Sequence, residues 1–283
     1  MITDFKRPTS VEEALTLQKD GYLFLAGGTQ INNGAARHRR PAVERVASLD
    51  ALNLGGIQTT AQSTAGSTGG GCTVGAMITL QELADNRDVP VALSRAAAFI
   101  PTRSVRNVAT IGGNVGARRP DSYIIPALIA LDAVAVTTDG QVPVEQYVTE
   151  KMKNLILRFQ IPPVQGICHA VKESRSHIAL PVVSAAVRLV ITDGKIGDAR
   201  VAVGCVAPQT VRLPQIEKLL PTRDGSYWIE PAGKTELEAA LAVSVTPAED
   251  FLGSREYKTY INAVVITDCV GRCIRDGLKG VQS

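Results

Sequence analysis

Two pairs of adjacent glycines, each beside a hydroxyl-bearing side chain, could bind an anion. The first lies in Ala26-Gly-Gly-Thr29 and the second in Thr110-Ile-Gly-Gly-Asn114. Because glycine has no Cβ, paired glycines let successive backbone N–H groups point outward and let a phosphate approach the backbone closely. The hydroxyls of Thr29 and Thr110 and the amide of Asn114 could add hydrogen bonds. A diphosphate is the natural ligand if the fold brings the two segments together.

A short basic run follows each glycine pair. Arg37-His-Arg-Arg40 follows the first pair, and Arg118-Arg119 follows the second. Such runs often belong to a solvated face. The alternative is a surface of positive potential that meets a ligand or a partner.

Residues suited to other kinds of catalysis show no recognisable pattern. None of the three histidines, His38, His169 and His177, stands in an H-E-x-x-H or G-x-S-x-G context. The five cysteines form no C-x-x-C pair, and Cys269 and Cys273, four residues apart on a predicted helix, are expected to be buried apolar thiols. We therefore expect no catalytic side chain, no metal site and no standard Rossmann dinucleotide site in this chain.

The composition of the 283-residue chain excludes several classes of protein. Hydrophobic residues make up 45%, which is typical of a globular chain and not of a disordered one. A formal net charge of +3 and an aromatic content of 4% argue against a dedicated nucleic-acid-binding protein. No apolar run is long enough to span a membrane and the N-terminus has no apolar signal core, so we expect a soluble, cytoplasmic protein.

The N-terminal elements are predicted from local signals. Ser10 and Glu13 form a capping-box pattern that opens a helix to about Asp20. Residues 22–26 predict a short, buried apolar strand that runs into the first glycine pair. Residues 57–71, rich in glycine, serine and threonine, predict a surface hairpin insertion, with a domain linker as the alternative.

The elements around the second glycine pair follow in the same way. A strand is predicted at residues 72–77, and Thr79 and Glu82 form a second capping box. The glycine pair itself is predicted to be a turn. Asp121 is predicted to cap an apolar helix that extends to about Leu131.

The last third is predicted to hold antiparallel strands followed by helices. Strands are expected at residues 155–161, 167–171, 183–192 and 199–206. Asp193-Gly194 predicts a hairpin turn. Helices are expected at residues 213–220 and 235–243, and from Ser254 through Asp276.

The predicted fold class is α+β. Residues 1–163 form an N-terminal α/β unit of two subdomains, at about 1–56 and 57–163. Residues 164–283 form a C-terminal domain with an antiparallel sheet and helices. The boundary is placed at Pro162-Pro163.

Five segments together resemble one known family. They lie at residues 5–15, 25–29, 74–80, 104–114 and 252–258, and the most specific is Ser104-Val-Arg-Asn-Val-Ala-Thr-Ile-Gly-Gly-Asn114. In this order they resemble the FAD-binding subunit of the molybdenum hydroxylases, the family of xanthine dehydrogenase and carbon monoxide dehydrogenase. The resemblance covers nearly the whole chain and is closer to the purine and xanthine hydroxylase side.

The resemblance implies an FAD site between the two N-terminal subdomains. Residues 26–29 and 110–114 would bind the pyrophosphate, Asp121 would contact the adenosine part, and Lys172 would lie near the flavin ring. The implied cofactor-binding residues are Ala26, Gly27, Gly28, Thr29, Gln30, Thr110, Ile111, Gly112, Gly113, Asn114, Asp121 and Lys172.

The resemblance also implies an electron-transfer role among partner subunits. A small subunit would hold two [2Fe-2S] clusters, and a large subunit would hold the molybdenum–pterin cofactor and hydroxylate the substrate. Electrons would pass from the clusters to the FAD of this chain and on to an acceptor such as NAD. A dimer of heterotrimers is the expected assembly.

Three positions depart from the family pattern. Gln30 stands where relatives often carry Asp, Arg118-Arg119 replaces small polar residues, and His177-Ile-Ala179 replaces a segment that usually begins with Asp. These departures leave two alternatives open. The chain could be a flavin-free assembly or binding subunit of such a complex, or a free-standing FAD oxidoreductase with its own substrate.

Overall fold

A computed structural model of the chain describes residues 2–31, 43–59 and 71–280. The basic run at residues 37–40 and residues 60–70 of the segment rich in glycine, serine and threonine lie outside these ranges. The strands of the described residues form three sheets. No helix within these ranges is both long and apolar enough to cross a bilayer.

A small parallel sheet leads into the first glycine pair. Its strands, in sheet order, are β1 (Asp4–Lys6), β3 (Arg45–Ser48) and β2 (Leu23–Leu25). Helix α1 (Val11–Lys19) connects β1 to β2, and Ser10 caps it by accepting a hydrogen bond from the N–H of Glu13 at 3.1 Å. The Glu13 carboxylate accepts from the N–H of Thr9 at 2.8 Å, so the reciprocal bond forms one residue earlier than a capping box predicts.

Strand β2 is less buried than its apolar sequence predicted. Among the strands of the described ranges it lies at the edge of the sheet, and Leu23 is 48% exposed. The core beneath this sheet is small and consists of Ala14, Leu49, Leu52 and Leu155. The prediction of burial was wrong for Leu23, which lines an open cleft, while Phe24 lines the cleft and also packs partly buried against this core.

The second sheet is antiparallel and has five strands. In sheet order they are β4 (Ile57–Thr59), β5 (Cys72–Gly75), β8 (Ile156–Ile161), β6 (Val134–Thr137) and β7 (Gly140–Pro143). The helices between these strands are α2 (Leu80–Asp85), α3 (Val91–Ala98), α4 (Arg103–Arg106), α5 (Ile111–Ala117), α6 (Ile124–Ala130) and α7 (Val144–Thr149). The capping box of Thr79 and Glu82 is confirmed, with both reciprocal bonds present.

Helix α6 is capped by a different residue from the one predicted. The hydroxyl of Ser122 accepts hydrogen bonds from the N–H groups of Ile124 and Ile125 at 3.2 and 3.1 Å. Asp121 does not cap the helix, because its carboxylate is paired with Arg119.

The C-terminal sheet and its helices form the remaining layers. The sheet is antiparallel, in the order β12 (Val211–Arg212), β11 (Lys195–Gly204), β10 (Val183–Thr192) and β9 (Ile167–Glu173). The helices are α8 (Pro214–Leu219), α9 (Pro231–Ser244) and α10 (Arg255–Gly280). Asp193 and Gly194 join β10 to β11 with φ of 49° and 77°, which confirms the predicted hairpin turn. Ser254 caps α10 as predicted, its hydroxyl accepting from the N–H of Tyr257 at 3.2 Å.

The two faces of the C-terminal sheet pack against different layers. Ala170, Ala186 and Ala202 pair in register across β9, β10 and β11 and belong to the core that contains α6. The opposite face, with Val187 and Leu189, packs in the core that contains α10. The small alanine side chains let α6 pack closely on the sheet.

The prediction of buried thiols on the terminal helix is confirmed. Cys269 and Cys273 both have no exposed surface. Their sulfur atoms lie 3.7 and 3.4 Å from the backbone carbonyl oxygens of His169 and Val187. Burial raises the pKa of the Cys273 thiol well above its ordinary value.

Candidate functional site

The two glycine segments meet backbone to backbone. A Cβ added at Gly27 would lie 1.6 Å from the carbonyl oxygen of Val108, just before the second segment. A Cβ added at Gly113 would lie 3.4 Å from the Cβ of Ala26. No side chain larger than hydrogen fits at Gly27, so glycine is required there for the segments to touch.

The first segment forms an irregular turn directly after β2. Gly28 has a φ of 68°, which side-chain-bearing residues rarely adopt. Among the described residues, the backbone N–H groups of residues 26–30 find no hydrogen-bond acceptor. This segment therefore has the free amides that were expected to bind an anion.

The second segment is the start of α5 and not a turn, so that prediction was wrong. The hydroxyl of Thr110 caps the helix by accepting from the N–H of Gly113 at 3.0 Å. The N–H groups of Ile111 and Gly112 donate to the backbone carbonyl oxygens of Ile78 and Ala76, at 3.0 and 2.9 Å. Because these amides are already bonded, the segment contributes a smooth, side-chain-free surface instead of free donors.

A cleft of about 690 Å³ lies where the segments meet. This volume falls within the range of roughly 300–1,000 Å³ that is typical of cofactor pockets. Ten of the twelve implied cofactor-binding residues line it, namely Ala26, Gly27, Gly28, Thr29, Gln30, Thr110, Gly112, Gly113, Asn114 and Asp121.

The other two implied residues do not line this cleft. Ile111 is fully buried beneath it. Lys172 lies in a separate, smaller pocket, where its ammonium donates to the carbonyl oxygen of Phe99 at 3.2 Å. Its nitrogen is also 5.7 Å from the ring centres of Phe99 and Tyr123, and Tyr123 lines the cleft. The role of Lys172 near a flavin ring stays a prediction.

An ion pair that follows the second segment reaches Gln30, beside the first segment, at one side of the cleft. The guanidinium of Arg119 donates to both carboxylate oxygens of Asp121, at 2.7 and 2.5 Å. A third N–H of Arg119 lies 3.4 Å from the side-chain oxygen of Gln30. The carboxylate raises the pKa of Arg119, so this side chain stays charged.

The neighbouring residues Arg118 and Asn114 are fixed in place as well. Arg118 ends α5 with a φ of 47°, and its guanidinium donates to the carbonyl oxygen of Met152. The side-chain oxygen of Asn114 accepts from the hydroxyl of Ser122 at 2.6 Å. The side chains of Asn114, Arg118, Arg119 and Asp121 are therefore held in place by contacts within the chain.

Sequence reasoning missed the apolar walls of the cleft. One wall, at residues 178–181, lies between β9 and β10 of the C-terminal sheet, and another is formed by Tyr147, Met152, Leu155 and Ile156. Ile178 and Leu180 are 77% and 45% exposed, and the sequence does not reveal this exposure, because it depends on how the segment packs. Tyr147 gave no signal either, since its contribution depends on how distant elements pack.

These features fit the FAD that the resemblance implies. Free amides and a side-chain-free surface suit a diphosphate, and the guanidinium groups of Arg118 and Arg119 suit its negative charge. Apolar walls suit the flavin and adenine rings. Burial raises the pKa of Tyr123 at the wall to about 12, so its hydroxyl is neutral.

The sequence matches two known families along most of its length. Residues 2–164 match the FAD binding domain in molybdopterin dehydrogenase, and residues 169–272 match the CO dehydrogenase flavoprotein C-terminal domain. The "Uncharacterized protein YgfM" of Escherichia coli (strain K12) is 35% identical over 285 residues, covering 99% of this chain and 100% of that protein.

Solved structures share the fold at lower sequence identity. A chain of the reconstituted CO dehydrogenase from Oligotropha carboxidovorans has a TM-score of 0.82 at 22% identity, covering 97% of this chain and 98% of that one. A chain of quinoline 2-oxidoreductase from Pseudomonas putida 86 has a TM-score of 0.77 at 20% identity, covering 100% and 99%. The α+β fold expected from the sequence is confirmed. The two matched families together identify the chain as a member of the FAD-binding flavoprotein family of the molybdopterin dehydrogenases.

Proposed function

We propose that this chain is the FAD-carrying electron-transfer subunit of a multisubunit molybdenum-containing hydroxylase or dehydrogenase. It would accept electrons from the [2Fe-2S] clusters of a small partner subunit and pass them to an acceptor such as NAD. A large partner subunit with a molybdenum–pterin cofactor would hydroxylate the substrate. The family match to molybdopterin dehydrogenases supports this proposal, and the convergence of both glycine segments on one cleft carries it.

Within this proposal, the twelve implied residues would contact different parts of FAD. Residues 26–30 would bind the diphosphate through free amides, and residues 110–114 would let it approach the backbone. Asp121 would contact the adenosine part, and Lys172 would act at the flavin end from its place against Phe99. Bound FAD supplies the exchange of electrons singly and in pairs, which the side chains of this chain do not supply themselves.

The apolar walls have a separate part in the proposed function. Residues 178–181 come from the proposed C-terminal domain, 164–283, and face the cleft of the proposed FAD-binding domain, 1–163. A cleft closed by both domains would exclude water from the flavin ring and hold the ring in one orientation. The subdomain division at about residues 56 and 57 stays part of this proposal.

The assembly and location belong to the same proposal. We infer a heterotrimer that pairs into a dimer of heterotrimers in the cytoplasm, on the purine and xanthine hydroxylase side of the family. The formal charge of +3 and the low aromatic content argue against a nucleic-acid partner.

Mild purification of the complex from its native source tests the proposal. We expect a yellow protein with a flavin spectrum that co-purifies with an iron–sulfur subunit and a molybdenum subunit. A colourless chain that still co-purifies with a molybdenum subunit would contradict the flavin role and favour an assembly function. Activity of the isolated chain on a substrate of its own would favour a free-standing FAD oxidoreductase.

A further inference from the structure

Arg119 is a cation held in the cleft that still has unbonded N–H donors among the described residues. A guanidinium carries five N–H groups. Among the described residues, two of them bond to Asp121 and one lies 3.4 Å from the side-chain oxygen of Gln30. One N–H on each terminal nitrogen is left over, and the side chain is 30% exposed.

The position of Arg119 relates it to the glycine segments. Arg119 lines the same cleft as Gly28 and Gly113, and the two residues that hold it, Gln30 and Asp121, line that cleft too. Gln30 directly follows Ala26-Gly-Gly-Thr29, whose amides find no acceptor among the described residues. Arg119 therefore lines the same space as the two segments, with its guanidinium held there by Gln30 and Asp121.

The charge balance of the cleft favours an anion. Its charged lining residues, among those described, are Arg118, Arg119, Lys153 and Asp121, which gives three positive charges against one negative. Arg118 donates one N–H to the Met152 carbonyl oxygen and, among the described residues, has no carboxylate partner. Arg119 is the cation that is both fixed by a carboxylate and supplied with free donors, a combination that suits phosphate oxygens.

We propose that Arg119 contacts the diphosphate of FAD directly, while Asp121 and Gln30 act as positioning residues that hold its guanidinium. The inference rests on the proposed FAD function and adds a charged contact to a site otherwise made of backbone. Because the guanidinium is already fixed by two partners, little side-chain entropy is lost when it binds the ligand.

FAD binding to the full-length chain, freed of flavin, tests this contact. Titration by flavin fluorescence at increasing NaCl concentrations gives the Kd and its dependence on salt. For Arg119→Gln we expect the Kd to rise by about tenfold or more, as for the loss of one charge-assisted hydrogen bond, with a weaker salt dependence. For Arg119→Lys, which keeps the charge and loses the planar fork, we expect weaker binding with the salt dependence retained.

Arg87→Gln is the matched control. Arg87 is exposed and does not line the cleft, so its removal takes away the same charge elsewhere and should leave the Kd unchanged. A wild-type Kd and salt dependence in folded Arg119→Gln would overturn the inference and leave the proposed FAD function intact. If that variant does not fold, a wild-type Kd in Arg119→Lys overturns it equally. A wild-type chain that binds no FAD would contradict the proposed function itself.

Discussion

The guanidinium of Arg188, on β10, lies 2.6 Å from the carboxylate of Asp132, just after α6. It also donates to the backbone carbonyl oxygen of Ala130 at 2.9 Å, and its side chain is only 8% exposed. A cation of the C-terminal sheet is thus buried against the end of a helix from the N-terminal half. Arg188 therefore links the two halves that supply the walls of the cleft.

Replacing Arg188 with Met should destabilise the protein by about 2 kcal/mol, because the buried carbonyl of Ala130 would lose its hydrogen-bond donor. Urea unfolding measures the change. Arg200→Met is the control, since Arg200 pairs with the same two carboxylates, Asp132 and Asp198, and is 24% exposed. Equal losses in both variants would show that the buried contact with Ala130 contributes nothing.

Gly112→Val should lower the FAD content of the purified protein. A Cβ at this position would lie 2.7 Å from the carbonyl oxygen of Ala76, so the start of α5 would have to move away from β5. The ratio of flavin absorbance to protein absorbance measures the effect. Gly55→Val is the control, since a Cβ there meets nothing within 4 Å. Full flavin occupancy in folded Gly112→Val would show that close approach at this glycine is not needed.

Ala186→Leu should cost about 1–3 kcal/mol, because the larger side chain does not fit between the C-terminal sheet and α6. Ala186 is fully buried in the row of three alanines. Chemical unfolding again gives the change in free energy. Ala98→Leu, at an exposed position at the end of α3, should be close to neutral. A neutral Ala186→Leu would mean that the two layers have room to separate.

Stability should fall as the pH rises above about 9. Burial raises the pKa of Cys72 from an ordinary 9.0 to about 11. Between these two values the unfolded chain loses a thiol proton that the folded chain keeps, so the free energy of unfolding decreases with pH. The contribution of Cys72 is full below pH 9 and is lost through about pH 11.

Urea unfolding under reducing conditions at pH 8 and pH 10 checks this window. Relative to wild type, Cys72→Ala should lose about 1.4 kcal/mol less between the two pH values. An identical pH dependence in both proteins would mean that the Cys72 thiol titrates alike in the folded and unfolded chains.

Elements specified by neighbouring residues were predictable from the sequence. The bonds between Thr79 and Glu82 span three positions, and the turn at Asp193 and Gly194 depends on two adjacent residues. Such patterns carry their own hydrogen bonds or backbone preferences, so distant parts of the chain do not change them. The convergence of two glycine segments on one cleft was expected from their composition together with the family resemblance.

Features decided by a choice among several possible partners were not predictable in this way. The second glycine segment forms a helix because the Thr110 hydroxyl caps it and the N–H of Ile111 donates to the carbonyl oxygen of Ile78, which follows β5. Asp121 fails to cap α6 because Arg119 holds its carboxylate. In each case a polar group had two possible partners, and the tertiary arrangement selected between them.

Helix α6 has consequences for how this flavoprotein family can evolve. All seven residues of Ile124–Ala130 are buried, and the core that contains them includes alanines from the C-terminal sheet. The two matched families meet at residues 164–169, but no cut there leaves α6 covered on both sides. A protein fragment that contained the first matched family alone would expose an apolar face of α6 and be prone to aggregation. Recombination should therefore transfer the two segments as a single inherited block.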